Sequence, residues 1–200
     1  MGFSLDVARK DYFRAEMKAD KELIIRYFLS KKMNAKHFPK RKVGKKPDFE
    51  LYLEKTLFGF CEIKSIVDYE FSGLRHDPTY NKIQNKIHEA ADQLKAANPE
   101  HTVPNIVFFI NHTDKVGWAD LWYVLTGQLM PHDWPSKLVD LTYLKRLVEK
   151  DDLIVVDYII WADTFRPFIS YVINQDSAFA GALRNNIGSA MYENTDINSI

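Results

Sequence analysis

Three segments that follow one another along the middle of the chain constrain its fold more than any other feature. An apolar-rich run over 57–64 is followed by a helical pattern over 81–97, which ends before Pro99, and then by the continuous apolar run NIVFFIN over 105–111. A short apolar run of this kind is typical of a central strand buried on both faces. Strand, long helix and strand form a right-handed crossover unit, so we expect the two strands to be parallel neighbours in an α/β sheet.

A further strand is predicted directly before this unit, where it makes a hairpin with the first of the two strands. The segment 48–54 supplies the new strand, and residues 54–56 supply the turn. Successive side chains on a strand alternate between its two faces. The alternation allows Asp48, Glu62 and Lys64 to share one face of the hairpin, with apolar side chains packed behind them.

These three side chains have the composition of a metal site with a lysine beside it. Mg²⁺ is usually bound by one or two carboxylates together with waters and phosphate oxygens, and it lowers the pKa of a bound water. A neighbouring lysine can orient that water or stabilise the charge that develops in the transition state. The alternative is an exposed strand face with a cross-strand ion pair, which is common and contributes little to stability. Taken together in this frame, the three residues favour the metal site.

The arrangement resembles the signature of the PD-(D/E)xK nuclease superfamily, the restriction-endonuclease-like phosphodiesterases. The similar motifs are Pro47-Asp48 and, after thirteen intervening residues, Glu62-Ile63-Lys64. The resemblance covers roughly residues 20–112. It implies a restriction-endonuclease-like three-layer α/β/α fold with a mixed central sheet.

The resemblance also implies an activity, the metal-dependent hydrolysis of nucleic-acid phosphodiester bonds, with DNA as the expected substrate. Asp48 and Glu62 would bind Mg²⁺ or Mn²⁺, and Lys64 would assist the attacking water. In this superfamily an N-terminal helix often supplies a further acid. Here the apolar spacing predicts a helix over about 4–32, with a break near residue 20. Its candidate metal ligand is Glu22, followed by Glu16, with an ordinary surface glutamate as the alternative.

The helix after the E-x-K strand commonly turns polar residues toward the site in this superfamily. Four such residues are available in the segment 81–97, namely Lys82, Gln84, Lys86 and Gln93. Gln84 and Lys86 lie closer in sequence to the motif than Gln93, so the resemblance makes them the candidates for substrate binding.

The charge pattern suits a nucleic-acid partner even though the formal net charge is zero. Lysines and arginines number 27, as do aspartates and glutamates, yet eight of the bases and none of the acids fall between residues 31 and 46. The rest of the chain is therefore net negative by eight. A basic block leading into the catalytic strand is suited to binding phosphates, and a solvated loop is the alternative. The proposed phosphate contacts are Lys40, Arg41, Lys42, Lys45 and Lys46.

The C-terminal half lies outside the resemblance and is interpreted from its pattern alone. The aromatic segment 117–129 predicts a packed helix or a partner surface, residues 136–150 predict an amphipathic helix, and residues 153–161 predict another buried strand. Asp157 inside that strand needs a partner if it is buried. From about residue 168 the pattern starts helical and ends polar.

The composition indicates one soluble globular domain, since 46% of the 200 residues are hydrophobic and 27% are charged. We expect a core over about 20–165 and a C-terminal extension over about 166–200. The charged N-terminal segment and the lack of a membrane-spanning apolar run predict a cytoplasmic protein without a membrane partner. Cys61, the one cysteine, is predicted to be a buried thiol.

Three functions stay open at this level. The first is the metal-dependent nuclease, for which a homodimer is one way to cut both strands of a duplex. The second is a non-catalytic module of the same fold that binds nucleic acid or protein. The third is an interaction protein whose working surface is the aromatic segment 118–134. Substitution of Asp48, Glu62 or Lys64 would abolish activity only in the nuclease, whereas Trp118 and Trp122 would matter to the interaction protein.

Overall fold

The computed structural model describes residues 18–38, 46–67, 76–129, 139–140, 150–188 and 192–193. These residues form an α/β structure with five helices and nine strands. The elements in chain order are α1 (residues 18–30), β1 (Met33–His37), β2 (Phe49–Leu53), β3 (Thr56–Ile66), α2 (His76–Ala97), β4 (Asn105–Asn111), α3 (Trp118–Thr126), β5 (Gln128–Leu129), β6 (Val139–Asp140), α4 (Lys150–Val155), β7 (Tyr158–Asp163), β8 (Phe168–Ile173), α5 (Ala180–Asn186) and β9 (Tyr192–Glu193).

The main sheet has seven strands in the order β1-β2-β3-β4-β7-β8-β9, and β5 pairs with β6 in a separate two-stranded sheet. Its three central strands, β3, β4 and β7, are parallel, and the remaining pairs are antiparallel. The sheet is therefore mixed, as predicted. The crossover prediction is also confirmed, because α2 connects β3 to β4 and every residue of β4 is buried.

Helices cover both faces of this sheet, because each face presents its own apolar cluster. On one face, Leu23 and Phe28 of α1 and Leu183 of α5 pack against alternate residues of the central strands. On the other face, Ile83 of α2 and Leu121 of α3 pack against the intervening residues. The alternation of side chains along β3, β4 and β7 sends apolar groups in both directions, which explains why their sequences read as continuous apolar runs.

Two backbone features shape the hairpin of β2 and β3. Glu54 in the turn has φ of 56°, in the left-handed region that a tight reversal requires. Further along, the Phe60 N–H donates to the Pro104 carbonyl over 2.9 Å. A Cβ atom built on Gly59 would lie 2.7 Å from that same carbonyl oxygen, so only glycine fits where β3 passes the start of β4.

Three predictions for the C-terminal half are wrong. The buried strand expected over 153–161 begins at Tyr158, because α4 continues through Val155; a short apolar run alone does not separate a strand from a helical segment. The segment from Phe168, expected to be helical, is strand β8, whose β-branched and aromatic residues pair with β7. The helix expected over 136–150 lies mostly outside the described residues, and its residues 139–140 form β6 instead.

The ends of the described chain also differ from expectation. Helix α1 runs without a break from residue 18 to 30, and so passes through the position of the predicted break. The segment interpreted as an extension contributes β8 and β9 to the main sheet. In the described ranges, no helix combines the length and the apolar character needed to cross a membrane.

Candidate functional site

The hairpin brings Asp48 and the E-x-K segment together. Phe49, the first residue of β2, pairs with Cys61 on β3, which places Asp48 across from Glu62. Glu62 and Lys64 point toward the face of the sheet that α2 covers. Phe60 and Ile66, which belong to the same alternating set, pack in the apolar cluster that contains Ile83 of α2, here called the α2 cluster. The expected pairing and alternation are both confirmed.

Asp48 and Glu62 are locked to one another through the backbone. The Asp48 N–H donates to Glu62 Oε2 over 3.0 Å, and the Ile63 N–H donates to Asp48 Oδ2 over 3.1 Å. Each carboxylate thus has one oxygen fixed by a main-chain donor. The Glu62 residue is only 3% exposed, so its carboxylate has little access to bulk water.

Lys64 is the positive charge beside this pair of acids. Its Nζ lies 3.2 Å from Glu62 Oε1 and 3.6 Å from Glu89 Oε2 of α2, and it donates to Gln93 Oε1 over 3.1 Å. The Gln93 amide in turn donates to the carbonyl of Lys46 over 3.3 Å. Helix α2 therefore holds the lysine against Glu62 and links it to the segment that precedes Asp48.

The electrostatics of Glu62 are those of a buried acid beside a second acid. Burial, and next the charge of Asp48, raise the pKa of Glu62 from 4.5 to about 7, while Lys64 lowers it. One ammonium group does not offset burial together with the second carboxylate. A bound cation would favour the ionised form of Glu62 and relieve the repulsion between the two acids.

The donor set fits a hard divalent cation such as Mg²⁺ or Mn²⁺. Asp48 Oδ1 and the oxygens of Glu62 are hard donors on one side of the hairpin, and Mg²⁺ accepts one or two carboxylates when water and substrate oxygens complete its shell. Across the residues that the structure describes, no three His, Cys, Asp or Glu side chains form a fuller metal cluster. Water and phosphate oxygens would therefore have to supply most of the ligands.

Glu22, the predicted further metal ligand, does not face the sheet. Its side chain is 65% exposed and lies 3.9 Å from Lys18 on the same helix. The acid that α1 directs inward is Asp20, which is 3% exposed. The two positions are two steps apart along the chain, about 200° around a helix of 3.6 residues per turn, so one faces the sheet when the other faces solvent. Glu16, the second candidate, lies outside the described residues.

Asp20 belongs to a second polar cluster at the carboxyl ends of the central strands. Ser65 donates to Asp20 Oδ2, and His112 Nε2 lies 2.9 Å from Asp20 Oδ1. His112 Nδ1 lies 3.3 Å from the hydroxyl of Thr164. Because Ser65 follows Lys64 on β3, this cluster faces the opposite side of the sheet from Glu62.

Sequence reasoning missed Asp20 and Glu89 and did not favour Gln93. The signal for Asp20 was an acid three and four residues before the buried Leu23 and Ile24, in the apolar stripe of α1. Gln93 is also a polar residue of α2, but its distance in sequence from the motif favoured Gln84 and Lys86 as the substrate contacts. These two residues precede it by nine and seven positions, about 13 and 10 Å along the helix axis. Glu89 and Gln93, both in the C-terminal half of α2, contact Lys64, so this half of the helix lies beside the lysine.

Of the predicted phosphate contacts, the structure describes only Lys46. Lys40, Arg41, Lys42 and Lys45 lie outside the described residues. Lys46 is exposed, and its ammonium lies 5.1 Å from the centre of the Phe38 ring. Cys61 is a buried thiol as predicted, and burial, followed by the charges of Asp48 and Glu62, raises its pKa well above the ordinary value.

The aromatic segment does not form an open surface in its described part. Trp118 is 8% exposed and packs in the α2 cluster, and Trp122 is half-buried beside it. Trp134 lies outside the described residues. No protein-family model, curated protein or solved structure matches this chain.

Proposed function

We propose that this chain is a metal-dependent nuclease of the PD-(D/E)xK type, with a restriction-endonuclease-like fold, that hydrolyses phosphodiester bonds in nucleic acid, with DNA as the expected substrate. The observation that carries the proposal is the set of contacts among Asp48, Glu62 and Lys64 on one hairpin face, with the Lys64 Nζ 3.2 Å from Glu62. Two hard carboxylates and a lysine in contact are the groups that this chemistry requires.

The side chains have distinct parts in the proposed reaction. Asp48 and Glu62 would hold Mg²⁺ or Mn²⁺, which when bound lowers the pKa of a water and neutralises charge on the phosphate. Lys64 has three N–H donors and three neighbouring oxygens, on Glu62, Glu89 and Gln93. To orient a water or a phosphate oxygen it must release one of them. Glu89 is the partner to release, because its contact is the longest and its side chain is 67% exposed.

The rest of the site supports this assignment through its surroundings. Gln93 bridges Lys64 to the backbone of Lys46, at the end of the basic block that was predicted to contact phosphates. Lys46 is exposed, and its positive charge would attract a phosphate that approached Lys64 from that side. The arrangement therefore favours an anionic polymer over a neutral substrate.

The test is a cleavage assay with supercoiled plasmid, single-stranded DNA and structured RNA, in Mg²⁺ or Mn²⁺ and in EDTA. We expect the wild type to cut at least one substrate only when metal is present, and Glu62→Ala to lose about a hundredfold or more of that rate. Glu22→Ala is the matched control, since it removes a glutamate that is exposed on α1, and it should cut at the wild-type rate.

Two outcomes would contradict the proposal. One is equal cutting by the wild type and by Glu62→Ala, which would point to a contaminating nuclease. The other is a folded wild type that cuts none of the substrates with either metal. That second result would favour the non-catalytic binding module, for which Lys46→Ala should weaken binding to nucleic acid.

A further inference from the structure

The connection between β7 and β8 presents an exposed aromatic ring next to a fixed arginine. Phe165 is 44% exposed, although the large apolar side chains in the described part of the chain are mostly buried. The Arg166 guanidinium lies close to two rings, 5.4 Å from the centre of Phe165 and 5.1 Å from that of Phe168. The Arg166 side chain is itself 50% exposed.

A chain of buried groups fixes this arginine. Arg166 Nε donates to Asp163 Oδ2, and Asp163 is fully buried. The other oxygen of Asp163 accepts from Trp161 Nε1 over 2.9 Å and from the Asn111 amide over 2.8 Å. The contact of Arg166 with Asp163 is made through Nε, which leaves the two outer nitrogens of the guanidinium for a ligand. Such a planar fork is suited to phosphate oxygens.

The position of this pair relates it to the proposed catalytic site. In the sheet register, Lys64 on β3 aligns with Phe109 on β4, which aligns with Trp161 on β7. Trp161 and Lys64 therefore point to the same face, and two strand spacings, about 10 Å, separate β3 from β7. Phe165 and Arg166 lie in the turn after β7, beyond its last residue Asp163, so the span from Lys64 to this pair is longer than the strand separation and takes several nucleotides. Arg166 also lies beside Gly117 at the start of α3, on this same face.

We propose that Phe165 and Arg166 bind an unpaired stretch of the nucleic acid, with a base stacked on the Phe165 ring and a backbone phosphate on the Arg166 guanidinium. This inference rests on the proposed function for its class of ligand. An exposed ring binds bases through their flat faces, which are open in a single strand and covered by neighbouring bases in a duplex. The substrate is therefore single-stranded at this point, as a free strand or as the unpaired part of a larger structure.

The first test measures binding of a fluorescent single-stranded oligonucleotide by anisotropy, in EDTA so that cleavage plays no part. Phe165→Ala should raise the Kd about tenfold, within the range found when a stacking aromatic is removed. Ile154→Ala is the matched control, because Ile154 is also a large exposed apolar residue, on α4, and should change the Kd less than twofold. The wild type should bind a duplex of the same sequence more weakly, without response to Phe165→Ala.

The second test concerns the phosphate contact. Each phosphate neutralised on a single strand contributes about 0.7 to the slope of log K against log salt concentration. Arg166→Gln should lower that slope by about this amount. Arg184→Gln, which removes an exposed arginine on α5, should leave it unchanged. If Arg166→Gln does not fold, Phe165→Ala and Phe165→Trp decide the matter, and Phe165→Trp should retain or improve the wild-type Kd.

The inference is overturned if Phe165→Ala binds as the wild type does, if Ile154→Ala loses as much affinity, or if duplex is preferred. Its failure is distinguishable from failure of the nuclease proposal. Cleavage that depends on Glu62 but not on Phe165 would contradict this inference and leave the nuclease proposal intact. Binding that depends on Phe165, from a protein that cuts nothing, sinks the nuclease proposal and leaves this inference standing.

Discussion

Glu62 and Asp157 are both carboxylates buried in the same sheet, and their surroundings differ in kind. Asp157, the residue directly before β7, is 1% exposed and has donors on both oxygens: the Asn105 N–H and His101 Nε2, each at 2.7 Å, and the Ser177 hydroxyl at 2.5 Å. Glu62 has one backbone donor and one lysine, and a second carboxylate lies beside it.

The difference separates a structural acid from one suited to binding a ligand. Three protein donors satisfy Asp157, so this carboxylate joins the start of β4, the start of β7 and two loops without outside help. Burial and the neighbouring Asp48 raise the pKa of Glu62, and a bound cation would lower it again. Burial alone therefore does not identify a functional acid; the count of donors around it does.

The largest effect on stability is expected at Asp157. Asp157→Asn removes the charge that three donors share, and we expect a loss of about 3 kcal/mol in the free energy of unfolding. Urea denaturation measures this, with Asp176→Asn as a control at an exposed aspartate. Cleavage by the folded fraction should not change. A loss below about 1 kcal/mol would mean that the donors around Asp157 stabilise it no better than water does.

A somewhat smaller effect on the free energy of unfolding is expected at Glu62. It has the opposite sign, because removing the charge of Glu62 should stabilise the fold. Its pKa is about 7 when folded against 4.5 ordinarily, so the unfolded chain gives up this proton first. The wild type therefore loses stability as pH rises from about 4.5 to about 7, by of the order of 2–3 kcal/mol at 1.36 kcal/mol per unit of pKa. Above pH 7 the loss is complete.

Glu62→Gln lacks this loss, so its stability relative to the wild type should increase between pH 5 and pH 8 in metal-free buffer. Denaturation at the two pH values measures the difference. Adding Mg²⁺ at pH 8 should stabilise the wild type and narrow the gap, and Glu100→Gln, at an exposed glutamate after α2, should follow the wild type throughout. Parallel pH curves for the wild type and Glu62→Gln would show that Glu62 resembles Asp157 after all.

The smallest effect is expected where α2 supports Lys64. Gln93→Leu removes one hydrogen bond to the ammonium, worth about 1 kcal/mol, which corresponds to about fivefold in the rate of cleavage if it acts in the transition state. Gln84→Leu, on the same helix, is the comparison. A loss confined to Gln93→Leu supports the observed contact, whereas a raised KM confined to Gln84→Leu would support the assignment made from sequence.

The sequence specified the centre of the molecule well because two simple periodicities apply there. Alternation along 48–64 is enough to predict the hairpin and the shared face of its charged residues. The strand, helix and strand order is enough to predict that β4 lies parallel to β3. Both arguments depend on local pattern and chain order, which a single sequence displays in full.

Other parts depended on contacts that a single sequence does not display. Residues 153–155 are apolar enough for a strand, but they form the end of α4, and β7 begins only at Tyr158. Asp20 and Glu22 differ only in which side of α1 faces the sheet. Gln93, not Gln84, contacts Lys64, and distance in sequence does not report which turn of α2 lies beside the lysine.

Gly59 has a consequence for the chemistry, although it carries no functional group. The close approach of its backbone to Pro104 fixes how far β3 can slide along β4. A slip of one residue along a strand exchanges its two faces, which would turn Glu62 and Lys64 toward the apolar cluster of α1 and bring Cys61 and Ile63 to the α2 side. The absence of a side chain at position 59 thus sets the register of β3 against β4. This register determines which charged residues lie on each face of the sheet.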